Sequence, residues 1–160
     1  MDRPPAIERL PADFADWEGL LALIRRAFAF MDGIIDPPSS VHRLDAAGLA
    51  EKAEAELCLV AMVEGTIAGC AFLADRRDHL YLGKLAIDPH HQGRGIGRRL
   101  VEAAETHARI AGRTVIELQT RVELTGNQDA FRRLGFVETV RTAHDGYDRP
   151  TAITMRKELR

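Results

Sequence analysis

With 160 residues, 46% hydrophobic and 29% charged, the chain is long enough for one domain with a real buried core. A net charge of −2 argues against a nucleic-acid surface or an anionic membrane partner. No apolar run approaches a membrane span, and the opening MDRPPAIERL lacks the layout of a signal peptide.

Ala6 to Leu10 reads as a short first strand ended by Pro11. Asp13 is the expected N-cap of a helix reaching about Met31, with Trp17, Leu20, Leu21, Ile24 and Phe28 on one face. MDGIIDPPSS is a turn-rich break, followed by a second helix from about Asp45 to Ala55. Leu57–Val63 and Thr66–Ala74 are strands joined through Glu64-Gly65, a hairpin signal. Cys58 and Cys70 fall within these strands without CxxC spacing, and read as buried free thiols of a reducing cytoplasm. A polar turn, DRRD, leads into a strand over Leu80–Ile87, which Asp88-Pro89 stops. A helix reading RRLVEAAETHARIAG follows from Arg98, with Gly112 as its stop. Then come a strand over Val115–Arg121, a short helix over Asn127–Leu134 closed by Gly135, and a strand over Phe136–Thr142. The loop AHDGYDRP precedes a last strand, Thr151–Lys157.

The stretch LYLGKLAIDPHHQGRGIGRRL, Leu80 to Leu100, places a glycine-rich loop between a strand and a helix start. Glycine lets the backbone approach a ligand closely, and free amides at a helix N-terminus attract anions. Arg94, Arg98 and Arg99 crowd the same end, which suits phosphate. The pattern predicts a pyrophosphate cradle at the mouth of a strand. Gly93-Arg94-Gly95-Ile96-Gly97 has the wrong spacing for the dinucleotide fingerprint, and Gly-Lys-Ser/Thr is absent. The stretch resembles the acyl-CoA-binding motif of the GNAT superfamily of N-acetyltransferases, Gln/Arg-x-x-Gly-x-Gly/Ala, matched by Gln92, Gly95 and Gly97 after a strand ending in LAIDP. The element order also resembles that family along nearly the whole chain, best from Leu57 to Phe136 and least from Phe30 to Ala55.

That resemblance implies a single domain over residues 1–160 with an α/β (α+β) fold. Its sheet would be mixed and strongly twisted, with about seven strands flanked by helices. The fourth and fifth strands, Leu80–Ile87 and Val115–Arg121, would splay to receive the pantetheine arm. It further implies acetyl-CoA as acyl donor, an amine acceptor, direct attack without a covalent enzyme intermediate, and no metal. The backbone of Leu85, Ala86 and Ile87 would pair with pantetheine, and the Ile87 amide would bond the thioester carbonyl. Gln92, Gly93, Arg94, Gly95, Ile96 and Gly97 would hold the pyrophosphate, assisted by the side chain of Arg94 or Arg98. Many family members carry Tyr-x-x-x-Gly-Phe, whose tyrosine protonates the departing sulfur. Here that pattern reads FRRLGF, so Phe131 holds the position and has no proton to give. The asparagine usually found seven residues earlier falls on Leu124. Asn127 is then either a helix cap or a shifted counterpart, and Asn127 and Phe131 are both carried as cofactor-side positions. Arg132 is a further candidate contact for the CoA phosphates.

Tyr147 and Tyr81 are the only tyrosines. Tyr147 lies in the loop that borders the acceptor side in the family, which makes it the candidate acid, although an exposed loop aromatic would serve packing equally well. Tyr81 reads as strand packing. An amine with a pKa near 10 is only about 0.1% neutral at pH 7, so a base is expected to help. Glu117, Glu123 and His144 are the candidates, Glu123 first because it sits at the open end of its strand. For the acceptor, Met31, Asp32, Asp36, Ser39 and Ser40 mark a loop denser in turn chemistry than a connection needs. Its aspartates would hold a cationic amine and its serines a polar group, or the whole would be a rigid turn. Adjacent His90-His91 in a turn do not form a metal site. The acceptor region and late loop resemble surfaces that pair in family dimers, so a homodimer is expected. The alternative from another class is a domain that binds acyl-CoA as a sensor without catalysis.

Overall fold

The structure is a computed structural model that describes residues 4–160. In chain order the elements are β1 (Ala6–Arg9), α1 (Trp17–Phe28), α2 (Ala46–Ala55), β2 (Leu57–Val63), β3 (Thr66–Asp75), β4 (Leu80–Ile87), α3 (Ile96–Ile110), β5 (Val115–Arg121), α4 (Thr125–Arg133), β6 (Val137–Thr142) and β7 (Ala152–Glu158). Single 3-10 turns occupy Ala29–Met31, Ser40–Arg43 and Pro89–His91. One seven-stranded sheet runs β1-β2-β3-β4-β5-β7-β6. Its neighbours are antiparallel except β4 and β5, which are parallel. Among the described residues, no helix is long and apolar enough to cross a membrane.

Among the helix boundaries that differ from the sequence reading are the starts of α1 and α3. The cap of α1 is Asp16, whose carboxylate accepts from the Gly19 amide at 3.1 Å, because Pro11 to Phe14 is consumed by a turn (Phe14 N to Pro11 O, 3.0 Å). The central helix α3 begins two residues early, at Ile96, because Gly95 takes a left-handed conformation (φ 75°) and serves as its N-cap. Asp45 caps α2 as expected, accepting from Gly48 at 2.7 Å.

The sheet is covered on both faces. Leu20 and Ile24 of α1 and Leu49 of α2 pack on Val60, Cys70 and Phe72. On the other face Leu100, Val101 and Ala104 of α3 pack on Leu59, Ala71, Leu82, Ile116 and Phe136. Cys58 and Cys70 are free and buried, as the sequence suggested. Burial, with the charge of Glu56, pushes the Cys58 thiol up to about 12, and Cys70 is raised as well, so both are protonated and unreactive.

The feature that shapes the functional region is a bulge in β4. Phe72 faces Gly83 and Cys70 faces Ala86, which leaves both Lys84 and Leu85 opposite Ala71. Lys84 adopts the left-handed φ of 47° that the extra residue demands. Beyond the pairs Leu80–Ile116 and Tyr81–Glu117, β4 and β5 part, while β5 stays paired with β7 along its whole length.

Asp88 fixes the far end of β4. Its amide donates to Ala68 O at 2.8 Å. Its carboxylate, in a residue only 8% exposed, accepts from Arg26 Nη2 (2.9 Å) and from the amide (3.0 Å) and ring (2.9 Å) of His90. Burial opposes ionisation, but these donors outweigh it and bring the pKa down to about 2. Close by, a Cβ on Gly69 would lie 3.0 Å from Ala86 O and 3.1 Å from Ile96 Cγ2, so glycine here lets α3 seat against β3.

Two outcomes follow from this geometry. Because the Asp88 pKa is depressed in the fold, its stabilisation is full above about pH 4, the unfolded value, and disappears as pH falls through about 2. Urea unfolding at pH 7 should find Asp88→Asn less stable by about 1 kcal/mol, discounted for the half-exposed Arg26, with the gap closing on acidification. Gly69→Ala should lose roughly 1–3 kcal/mol from overpacking, read as a lower thermal midpoint.

Candidate functional site

The loop that follows β4 presents backbone donors to solvent. Gly93 (φ 80°) and Gly95 (φ 75°) hold left-handed conformations, and a Cβ at either would meet nothing within 4 Å. Their requirement is therefore conformational, with open space in front of the loop. Among the described residues, no backbone acceptor takes the amides of Gly93 to Arg98, and the first such bond of α3 runs from Arg99 N to Gly95 O at 3.1 Å. Ile96 anchors this end with a side chain 1% exposed in the core. Gln92, Arg94 and Arg98 are exposed, and neither arginine takes part in an ion pair among the described residues. Arg99 does not join them: its Nη1 donates to Pro5 O at 3.0 Å and ties the start of the chain to α3.

The cradle opens into the gap between β4 and β5. Successive amides of a strand point to opposite edges. Since Asp88 N points to β3, Ile87 turns its backbone groups toward the gap, as does Leu85, whereas Ala86 turns toward β3. Ala86 also buries its side chain under α1, so of the predicted triplet only Leu85 and Ile87 face the gap.

The opposite wall is the junction of β5 and α4. Gln128, 5% exposed, donates through Nε2 to Arg121 O (3.0 Å) and Val122 O (3.1 Å) and locks the first turn of α4 to the strand end. A glutamine in a short polar helix carried no signal of this in the sequence. Asn127 is not a helix cap: α4 starts at Thr125 and its cap is Leu124, so Asn127 lies within the first turn, partly buried. Phe131 packs edge-on against Phe136, ring centroids 5.9 Å apart, as part of the core. Arg132 is taken by Asp129 (3.1 Å) and Glu138 (3.7 Å) and is not free for a phosphate. Thr120, at the end of β5, buries a hydroxyl without a partner.

On the acceptor side, the loop after α1 is clasped from two directions. Arg121 donates to Pro37 O (2.6 Å) and Pro38 O (3.3 Å), and Glu123 Oε2 accepts from the Asp36 amide (3.1 Å). The Asp36 carboxylate accepts from the Tyr147 hydroxyl (2.6 Å) and from Arg149 Nη2 (3.1 Å). Met31, Ile35 and Leu124 form a small apolar cluster beneath. The predicted acceptor residues therefore divide. Met31 is buried and unavailable to a substrate. Asp32 is paired with His42 Nε2 at 2.8 Å, and Asp36 is saturated. Ser39 caps a 3-10 turn through Val41 N (3.2 Å), while Ser40 Oγ accepts from Lys84 Nζ at 2.9 Å.

The candidate acid and bases also divide. The Tyr147 hydroxyl donates a hydrogen bond to Asp36, and that bond together with burial raises its pKa, which makes it a poor acid. Both the amide (2.8 Å) and Nδ1 of His144 meet Thr151 Oγ1, and burial with the charge of Arg121 lowers its pKa, so the ring is neutral at pH 7. Glu117 is bound by Arg156 Nε at 2.8 Å, in an open cleft of about 470 Å³ lined also by Arg76, His79, Tyr81 and Gln119. The exposed Arg76 stacks over Tyr81, 5.6 Å from the ring centroid. Glu123 differs from all of these. Its Oε2 holds the loop, but its Oε1 is buried and has no hydrogen-bond partner among the described residues.

Known proteins share this family and fold. The model of the Acetyltransferase (GNAT) family matches residues 17–136. An IAA acetyltransferase of Azospirillum brasilense is 33% identical over 129 residues, 79% of this chain and 82% of that protein. The ribosomal-protein-S18-alanine N-acetyltransferase from Escherichia coli superposes with a TM-score of 0.75 at 24% identity, over 97% of this chain and 94% of that one. The PaiA N-acetyltransferase from Thermoplasma acidophilum, solved in complex with coenzyme A, gives 0.78 at 19% identity, over 96% and 99%. At these identities the two structures speak for the fold alone, but the family model and the Azospirillum relative reach further. With its glycine-rich cradle, its parted parallel strands and these matches, the chain belongs to the GNAT family of acetyltransferases and is an acyltransferase.

Proposed function

We propose that the protein transfers the acetyl group of acetyl-CoA to a primary amine of a small molecule or peptide by direct attack. The observation that carries this reading is the continuity of two sets of unpaired backbone groups, the amides of Gly93 to Arg98 and the β4 edge at Leu85 and Ile87. An acyl-CoA fits both: left-handed glycines leave the loop open for a pyrophosphate, and the bulge leaves a strand edge for the pantetheine amides. The coenzyme A complex of the Thermoplasma protein supports the choice of donor.

When bound, acetyl-CoA supplies an activated acetyl thioester and a thiol leaving group. Amides from Gly93 to Gly97, with the side chains of Arg94 and Arg98, hold the pyrophosphate. Leu85 and Ile87 bind pantetheine as an added strand, and the Ile87 amide polarises the carbonyl. The buried, unpartnered Oε1 of Glu123 accepts the proton of the incoming amine. Tyr147 is assigned to holding Asp36 and the acceptor loop rather than to protonating the sulfur. No side chain is required for that protonation, since an alkyl thiol with a pKa of about 8.5 is a tolerable leaving group as thiolate. Two buried free thiols suit the reducing cytoplasm in which we place the protein.

Thiol release from acetyl-CoA, followed against amines, polyamines, amino acids and peptides, should show amine-dependent turnover. Tight coenzyme A binding without turnover across the panel would instead favour an acyl-CoA-binding domain. Gly95→Glu should abolish acetyl-CoA binding in calorimetry, and an unchanged affinity would remove the cradle assignment. Glu123→Gln should lower kcat/KM by roughly 10²- to 10⁴-fold at pH 7, with the deficit narrowing at high pH as the amine deprotonates unaided. A deficit that stays constant with pH would reduce Glu123 to a loop-positioning residue.

A further inference from the structure

On the acceptor side, Lys84 carries a charge that no carboxylate among the described residues compensates. The chain has three lysines, and two of them lie against carboxylates: Lys52 at 2.8 Å from Glu56 and Lys157 at 2.7 Å from Glu105. Lys84 forms no ion pair among the described residues, and its Nζ donates only to Ser40 Oγ at 2.9 Å. An ammonium has three protons to donate, so two are left without a protein acceptor. Partial burial, then the positive charges of Lys52 and Arg43, lower the pKa of Lys84, against an opposing pull from Glu56. A partly buried cation whose hydrogen-bond partner is a neutral hydroxyl is half of an anion site.

Backbone conformation points the same way. Lys84 is the extra residue of the β4 bulge and holds a left-handed φ of 47°, a conformation that glycine takes freely. Gly83 is its neighbour, yet the strained position carries the side chain. Strain of this kind is retained where the side chain has work at that position. The bulge turns Lys84 to the α1–α2 face, where Ser40 follows the clasped loop. Lys84 precedes Leu85 directly and lies within roughly 10 Å of Ile87 along the strand, a span that a small molecule bridges. Meanwhile Asp32 and Asp36, the carboxylates expected to hold a cation, already have partners, His42 for the first and Tyr147 with Arg149 for the second.

Resting on the transferase reading above, we propose that Lys84, with Ser40 and Arg43, binds a carboxylate of the acceptor, so that the acceptor is a small amine that also carries a carboxylate, an amino acid or a close analogue.

Matched acceptors test this: histidine against histamine, tyrosine against tyramine, ornithine against putrescine, each in thiol release from acetyl-CoA. The wild type should favour at least one carboxylate-bearing member by 10-fold or more in kcat/KM. Lys84→Gly should lose that preference with acetyl-CoA affinity retained and a thermal midpoint no lower than wild type, since glycine suits the bulge, while Lys84→Arg should keep the preference. Turnover that is equal or better without the carboxylate overturns the anion site and leaves the transferase standing. Absence of turnover with every amine tested would instead tell against the transferase. A second readout is independent of turnover. With the three lysines labelled as 13C-dimethyl-lysine in the coenzyme A-loaded protein, the preferred amino acid should shift the Lys84 signal and raise its pKa, and its decarboxylated partner should not. An equal response to both members of a pair overturns the proposal.

Discussion

Because Lys84 and Leu85 together face Ala71, β4 carries one more residue than β3 over the same length, and the strand must bend. β5 cannot follow, since β7 holds it from Val115 to Arg121. The two parallel strands therefore separate after two paired residues, and the backbone groups of Leu85 and Ile87 lose the partner that a continuous sheet would have provided. Unpaired backbone polar groups in a sheet interior are costly unless something else satisfies them. The open strand edge and the open helix N-terminus beside it lie at the same end of β4, as an elongated anionic ligand with an amide-bearing arm requires.

That opening needs rigid walls, and each is fastened differently. On one side Asp88 joins β4 to α1 through Arg26 and turns the chain into the cradle through His90. On the other, the buried Gln128 grips the last carbonyls of β5. Leu124, at the position where the family commonly has asparagine, is spent on an apolar cluster with Met31 and Ile35 that seats the acceptor loop. Phe131, at the position of the family tyrosine, packs on Phe136 in the core. The two departures from the family pattern thus share one physical consequence: Leu124 and Phe131 stabilise the junction of β5, α4 and the loop after α1.

Electrostatics on the acceptor side are largely self-compensating. Asp36, Tyr147, Arg149, Arg121 and Glu123 form a connected set that draws three distant segments together. Within it Glu123 alone keeps an unpartnered oxygen, and just across the bulge Lys84 keeps unpartnered protons. In the proposed mechanism the polarity of the site would lie in these residual imbalances rather than in the number of charged residues around it.

The amino-acid sequence by itself determined the order of elements, the seven strands, the glycine loop that leads from β4 into α3 and the burial of both cysteines. These rest on local chemistry: hydrophobic runs of strand length, proline and glycine as stops, and glycines spaced for a left-handed turn before a helix. It also singled out Glu123 and the loop from Met31 to Ser40, but not what they touch. Tertiary structure decided that Asp32 and Asp36 are already paired, that Met31 is core, that Arg99 and Arg132 are structural, and that Tyr147 holds a loop. Gln128, Lys84 and Asp88 emerged only there. Their roles depend on partners up to 62 residues away, with no periodicity to announce them. Backbone conformation is written largely in neighbouring residues, whereas the charge left over at a site is known only once every distant partner has been placed.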